Sequence, residues 1–211
     1  MSNAAPTVCV VDDDPSVLKA LSRLLRSAGR QVATFTSAQE FLDRHDPIAP
    51  GCLVLDFSMP GLNGVQLQQT LIDKGCMTPI IFLTGRGDIP ISVQAMKGGA
   101  VDFLTKPVND SILLEAVRNA LEKDQAGQQI RTERAEIQRR VDTLTPRERE
   151  VLGHVVAGKL NKQIAAALGT GEKTIKVHRA RAMEKMRARS LADLVRLAAR
   201  VGIAPESSEH R

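Results

Sequence analysis

Between residues 6 and 122 the chain alternates two hydrophobic rhythms. Five short apolar runs have the length of buried strands: "TVCVV" (7–11), "QVATF" (31–35), "GCLVLDF" (51–57), "PIIFLT" (79–84) and "AVDFLTK" (100–106). Between them apolar positions recur every three or four residues, as on a helix with one buried face. "SVLKALSRLLRSAG" places Val17, Leu21, Leu24 and Leu25 on one side and runs into Gly29, a residue suited to the position just past a helix end. "SAQEFLDRH", "GVQLQQTLIDKG", "ISVQAMKGG" and "SILLEAVRNALEK" supply four more helical patterns. Continuous apolar strands alternating with helices predict a (βα)5 fold, a doubly wound parallel sheet covered on both faces. In such sheets the ligand site lies beyond the carboxyl ends of the strands.

The pattern then changes twice. Residues 123–141 are polar and dense in charge, which predicts a helical linker with too few apolar positions for a coiled coil. From 142 to 204 no strand pattern appears, and four helices are expected, at "PREREVLGHVVAG", "NKQIAAALG", "EKTIKVHRARAMEKMRA" and "LADLVRLAARVG". The first has a cap at Thr145, Pro146 at the first helical position and Glu148 three residues after the cap, the signature of a capping box. A short helix, a turn containing Gly169 and a longer basic helix predict a helix-turn-helix. The expected architecture is therefore an α/β domain (6–122), a linker (123–141) and an all-α four-helix domain (142–204).

Charge separates the two halves. Residues 1–123 hold 11 Lys+Arg against 13 Asp+Glu, a net −2, and residues 124–211 hold 18 against 11, a net +7. The basic character belongs to the second part, which suggests an acidic site in front of a polyanion-binding module. Only 2% of residues are aromatic, with no Trp and no Tyr, which argues against a binder of single strands that stacks bases on exposed rings. The apolar runs are too short to span a bilayer, and "MSNAAPT" has neither a basic region nor an apolar core, so a cytoplasmic protein without membrane attachment is expected. Cys9, Cys52 and Cys76 lack metal-type spacing and read as small buried hydrophobes.

At the strand ends the polar residues form a set. The first strand ends at Asp12 and Asp13, the third at Asp56, the fourth at Thr84, and the fifth at Lys106 followed by Pro107. Singly, each is an ordinary turn former or surface residue. Jointly they converge on one sheet edge. Three carboxylates there call for a cation, and oxygen ligands favour a hard one such as Mg²⁺. A lysine and a threonine hydroxyl beside them suit phosphoryl oxygens.

"VVDDD", "LDFSMPGLNG", "IIFLTGRGD" and "AMKGGAVDFLTKP" together resemble the receiver domain of bacterial two-component response regulators, and their wording resembles the FixJ-type subgroup. The resemblance implies Asp56 as phosphoacceptor. It implies Asp12, Asp13, Asp56 and the Ser58 main-chain carbonyl as Mg²⁺ ligands, Thr84 and Lys106 as phosphoryl-binding residues, Phe103 as an aromatic switch, and a cis peptide before Pro107. Arg86 departs from the His often found in this subgroup, and Ser58 stands at a position that varies among receivers. A rival reading takes "VVDDDPSV" as the first motif of haloacid-dehalogenase-type phosphatases, with Asp12 as nucleophile and Asp14 as acid/base. That family needs a later acidic pair, where this chain has Thr84 and Gly85. Asp14, ahead of Pro15, reads better as the cap of the first helix.

On a helical wheel with Ile175 inward, Ala182 and Met186 share its face, with His178 and Arg179 flanking. Lys173, Lys176, Val177, Ala180 and Arg181 fall opposite, a basic stripe with a small apolar patch that suits a helix in the major groove. "LTPREREVL…NKQIAAALG…KTIKVHRARAMEKM" resembles the LuxR/NarL-type DNA-binding domain. The resemblance implies base or phosphate contacts by Thr174, Lys176, Val177 and Arg181 and backbone contacts by Lys162 and Lys173, with His178 a packing residue. A quorum-sensing member of this class would carry a front domain rich in Trp and Tyr, which this chain lacks. The expectation is a transcription regulator without catalytic residues of its own. A sensor histidine kinase phosphorylates it, and it then forms a homodimer through Val93, Lys97 and Asp102 and binds double-stranded promoter DNA, with RNA polymerase a further candidate partner. The alternative is a receiver that works without phosphate, as a protein dock.

Overall fold

A computed structural model of the chain describes residues 5–46, 49–85 and 96–203. The chain divides into two compact units between Gln128 and Gln129. In the first, five parallel strands form one sheet: β1 (Thr7–Val11), β2 (Gln31–Phe35), β3 (Gly51–Asp56), β4 (Ile80–Thr84) and β5 (Asp102–Thr105), in spatial order β2-β1-β3-β4-β5. The central strands β1, β3 and β4 are buried almost throughout, whereas the edge strands β2 and β5 are largely half-exposed. This is why the central runs are apolar at every position rather than at every second one. The third and fifth runs are shorter as strands than their apolar extent. β3 stops at Asp56 and β5 at Thr105.

Helices α1 (Pro15–Ser27), α2 (Ala38–Arg44) and α3 (Gly64–Asp73) follow β1, β2 and β3. The helical pattern at 91–99 lies mostly outside the described residues. Helix α4 (Asp110–Asp142) begins after β5 and runs on through the whole stretch expected as a linker. Its first turns supply Leu113, Ala116, Val117, Ala120 and Leu121 to one core of the sheet, with Leu18, Leu21 and Leu25 of α1 and with Val8, Val10, Cys52, Val54, Ile81 and Leu83. The opposite core holds Cys9, Val11, Leu53, Leu55 and Phe82, with Phe41 of α2 and Leu67 and Leu71 of α3. All five phenylalanines of the chain belong to this second core or pack against it. Cys9 and Cys52 sit on opposite sheet faces, so they cannot pair, and all three cysteines are buried and reduced. Burial pushes the Cys9 thiol up to about 11 and the Cys52 thiol up to about 12, as small hydrophobes would show.

The helix ends follow the local chemistry. Asp14 caps α1, its carboxylate accepting from the Ser16 amide at 2.8 Å and hydroxyl at 2.6 Å, with Pro15 in the first turn. Gly29, just past the end of α1, has φ +75. At the opposite end of the sheet, Gly51 opens β3 with φ +155, and a Cβ there would stand 2.0 Å from the Thr7 carbonyl oxygen. Its amide donates to the buried carboxylate of Asp124 on α4 at 2.8 Å, a charge-assisted bond worth roughly 1.5–3 kcal/mol.

The second unit is helical among its described residues: the end of α4, then α5 (Pro146–Val156), α6 (Asn161–Ala167), α7 (Glu172–Lys185) and α8 (Leu191–Arg200). Its core gathers Ile137 and Val141 of α4 with Leu144, Val151, Leu152, Ile164, Ile175, Ala182, Met186 and Leu194. Thr145 and Glu148 close a reciprocal capping box on α5. The same Glu148 carboxylate is buried and meets Lys185 Nζ at 2.6 Å. No described helix is long and apolar enough to cross a membrane.

Candidate functional site

The carboxyl ends of β1, β3 and β5 converge. Strand register sets this up, because β1 pairs with β3 and β3 with β4 in step, so residues just past the last pair come to one edge. Oxygens of Asp12, Asp13 and Asp56 all lie within 4.8 Å of one another. Asp12 and Asp56 are buried and Asp13 is exposed. Lys106 enters between them, its Nζ 2.6 Å from Asp12 Oδ2 and 2.6 Å from Asp56 Oδ1. The other Asp56 oxygen accepts from the Ser58 amide at 3.1 Å, and Asp12 Oδ1 accepts from the Asp14 amide at 3.0 Å. Asp14 itself is engaged as the cap of α1. The three adjacent acids therefore divide into two that face the site and one that ends a helix.

The electrostatics are opposed. Burial drives the Asp56 carboxyl above its ordinary value. Lys106 pulls it back by hydrogen bond and charge, Asp12 raises it again, and burial prevails. Burial alone would depress the Lys106 ammonium, but hydrogen bonds and charge from Asp12 and Asp56 together hold it above its ordinary value. The donor set is all oxygen, two of the three acids are held in place, and Asp13 leaves one side open to water. These features fit a hard divalent cation such as Mg²⁺, which keeps several waters.

The remaining strand-end residues stand close by. Thr84, buried, ends β4 opposite Thr105, and its carbonyl accepts from the Lys106 amide at 2.6 Å. The Lys106–Pro107 peptide is cis. Phe103 is half-buried on β5, its ring centroid 6.1 Å from that of Phe57 and 6.2 Å from that of Phe82. Asp102 is half-buried and Lys97 exposed, whereas Val93 and Arg86 lie outside the described residues. An apolar groove of about 810 Å³, lined by Val17, Leu21 and Leu24 of α1 and by Pro107 and Val108, borders the Lys106 stem.

Two contributors were not singled out from the sequence. A Cβ on Gly64 would come within 2.7 Å of the Asp56 carbonyl oxygen and 3.0 Å of the Phe82 ring, so the start of α3 can lie against the phosphoacceptor candidate only because that residue is glycine. Gln68, buried on α3, donates to the Gly98 carbonyl at 3.1 Å and holds the turn that precedes β5. Gly64 stands inside a quoted motif and could have been found there. The Gln68 bond joins residues 30 apart and leaves no periodic trace.

In the second unit, α6 and α7 are joined by the turn through Gly169, which has φ +60, and by Arg179 Nη1 on Asn161 Oδ1 at 3.1 Å. Ile175, Ala182 and Met186 are buried as the wheel requires. Lys173, Thr174, Lys176, Val177 and Arg181 are all exposed on α7, and Lys162 is exposed on α6. Lys176 lies 3.9 Å from Glu172, a loose surface pair. Val177 is 44% exposed, a large apolar side chain left bare among cations. His178 is half-buried against the unit.

Residues 8–118 match the family model of the response regulator receiver domain, and residues 142–198 match that of bacterial regulatory proteins of the luxR family. Nodulation protein W of Bradyrhizobium diazoefficiens is 47% identical, over 96% of this chain and 89% of its own. Transcriptional regulatory protein FixJ of Rhizobium meliloti is 43% identical, over 94% of this chain and 98% of its own. Among solved structures, that of the response regulator StyR is similar with a TM-score of 0.83 and 46% identity, covering 93% of this chain and 99% of that one. With a receiver domain placed ahead of a LuxR-type DNA-binding domain, the chain belongs to the FixJ type of response regulators, the transcription regulators of two-component systems.

Proposed function

We propose that this response regulator is switched by phosphorylation of Asp56. A sensor histidine kinase presents a phosphohistidine. An Asp56 oxygen attacks the phosphorus, the P–N bond breaks, and the imidazole leaves as the neutral base after taking up a proton. The observation that carries this reading is the Lys106 ammonium bridging Asp12 and Asp56, a cation already placed where negative charge builds up during transfer. Asp12, Asp13, Asp56 and the Ser58 carbonyl would hold Mg²⁺, which would supply charge neutralisation at the phosphoryl oxygens. Lys106 and Thr84 bind those oxygens, and Phe103 follows Thr84 inward. The phosphoryl group acts by shifting a two-state equilibrium through local charge.

The phosphorylated form dimerises through the face that includes Val93, Lys97 and Asp102, and the dimer sets two α7 helices on a two-fold-related promoter site in the cytoplasm. Thr174, Lys176, Val177 and Arg181 read bases or phosphates there, while Lys162 and Lys173 hold the backbone. The test is labelling by acetyl phosphate with Mg²⁺. Asp56→Asn is expected to abolish both the label and label-dependent dimerisation. Undiminished labelling removes the site assignment, and dimerisation or promoter binding indifferent to Asp56→Asn favours a receiver that serves as a phosphate-independent dock.

A further inference from the structure

The C-terminal end of α7 is gripped in part by residues that lie ahead of the matched LuxR-type segment. Met186, the cap of α7, is fully buried and packs in one cluster with Ile137 and Val141 from the last turns of α4. Arg140, on the same stretch of α4, donates from Nη1 to the Met186 carbonyl at 3.4 Å. Its Nε and Nη2 both reach Glu136 Oε1 at 3.3 Å, which orients the guanidinium plane. Lys185 adds two ties, to the Thr143 carbonyl at 3.0 Å and to Glu148 at 2.6 Å. A cation on the last carbonyls of a helix is favoured by the partial negative charge there.

The backbone beyond the cap points the same way. Arg187 has φ +53, the one non-glycine residue with positive φ among the described residues. Its amide donates to the Glu184 carbonyl at 2.9 Å, and that of Ala188 donates to the Met183 carbonyl at 2.9 Å. This is the Schellman closure, whose turn position ordinarily holds glycine. A strained conformation of this kind persists only where the surroundings over-determine it. The end of α7 is therefore pinned rather than frayed.

We infer that Arg140 is a positioning residue for DNA reading: by fixing the C-terminal end of α7 it sets where the exposed face of Thr174, Lys176, Val177 and Arg181 meets the bases. The inference rests on the reading of α7 as the DNA-contacting helix. A 14-residue helix is a rod of about 21 Å. Freeing its far end changes its tilt, and with it the alignment of the residues at the groove. Phosphate contacts tolerate such a tilt, while base-edge contacts do not.

The experiment uses the full chain and two duplexes: one recovered by the wild-type chain from a randomised pool, and a scrambled duplex of the same composition. Arg140→Gln is expected to lose about tenfold on the recovered duplex, the cost of one misread base pair, with affinity for the scrambled duplex and the salt slope unchanged. Arg140→Lys, which can still donate to the Met186 carbonyl, should recover most of the loss. Unchanged discrimination between the duplexes overturns the inference. So does an equal loss on both with a salt slope flattened by about one, since that makes Arg140 a phosphate contact. If Arg140→Gln fails to fold, Glu136→Ala decides: it removes the oxygen that accepts from Nε and Nη2 and leaves the guanidinium present but unaimed, and undiminished discrimination there overturns the inference equally. Lys176→Ala, measured alongside, separates the two levels. No effect on either duplex removes α7 as the reading helix, whereas an effect there with none at Arg140 removes only the positioning role.

Discussion

Replacing Lys106 by methionine isolates the electrostatics of the acidic site. The substitution keeps an unbranched stem against the apolar groove formed with Val17, Leu21 and Pro107, and removes only the ammonium bridging Asp12 and Asp56 at 2.6 Å. A divalent ion bound to those same oxygens would stand within about 5 Å of Nζ, given Mg–O bonds of about 2.1 Å. Repulsion between a single and a double positive charge at that distance is about 1.7 kcal/mol even at the dielectric constant of water, and several-fold more at the value appropriate near a protein surface. The lysine must also release both carboxylates before the ion can take them. One effect opposes these. Without Lys106, burial and Asp12 raise the Asp56 carboxyl further, so protons compete better with the ion. At pH 8 that competition is small, and repulsion decides. Lys106→Met should therefore bind Mg²⁺ at least about tenfold more tightly than the wild type at pH 8, even as acetyl phosphate labelling falls. With no Trp or Tyr to serve as a fluorescent reporter, the titration is best followed by amide NMR shifts of Asp12, Asp13 and Asp56. Equal or weaker Mg²⁺ binding by a folded variant would refute the electrostatic account. The pH dependence carries its own sign. A carboxyl raised in the folded state binds more protons folded than unfolded, so stability falls as pH rises through the window above the ordinary carboxylate value. Metal-free Lys106→Met should gain more stability than the wild type on going from pH 8 to pH 5.

Two further outcomes follow from buried contacts. Glu148→Ala removes the carboxylate that caps α5 and meets Lys185, and should cost about 2–3 kcal/mol, below the full penalty for a broken buried pair because Lys185 remains a third exposed. Lys185, first among the causes, holds the Glu148 carboxyl below its ordinary range, so its stabilisation is complete above that range and lost as pH falls through it. Calorimetry of the full chain at pH 7 and pH 3 should show the variant's deficit shrinking in acid, and a deficit independent of pH would contradict the ion pair. Gly51→Ala must move the Thr7 carbonyl and strain a positive φ, and should destabilise the first unit by about 3 kcal/mol or more, with faster hydrogen exchange in β1 and β3. A variant with unchanged exchange would mean that the two strands separate there at no cost.

Most of the receiver architecture was visible as periodicity, because the central strands are buried on both faces and so write their burial into consecutive residues. The acidic set was visible for a related reason: parallel strands deliver their carboxyl ends to one edge, and chemistry placed there stands out against an apolar run. The caps at Asp14 and Thr145 depend on residues two or three apart and were equally plain. What stayed hidden were contacts between distant segments. Asp124 looked like one more charge in a polar stretch, yet it is buried on the Gly51 amide 73 residues away. That the helix after β5 and the expected helical linker form one continuous element stayed hidden for the same reason. Local sequence marks no helix end there, and α4 buries Val117 and Ala120 in one unit and Ile137 and Val141 in the other, with Ile130 between them left 66% exposed. Polarity along its middle turns is compatible with helix throughout.

The confinement of all five phenylalanines to one face of the receiver sheet makes the chain its own optical instrument. With no Trp or Tyr, near-ultraviolet circular dichroism of the protein arises from those rings, and Phe57, Phe82 and Phe103 lie within about 6 Å of one another beside the acidic site, close enough to couple. The DNA-binding unit contributes no Phe, Tyr or Trp signal of its own. A single Trp introduced on α7 would then report that unit by fluorescence against a dark background, so that both halves of the molecule could be followed at once, by separate signals, in one unlabelled sample.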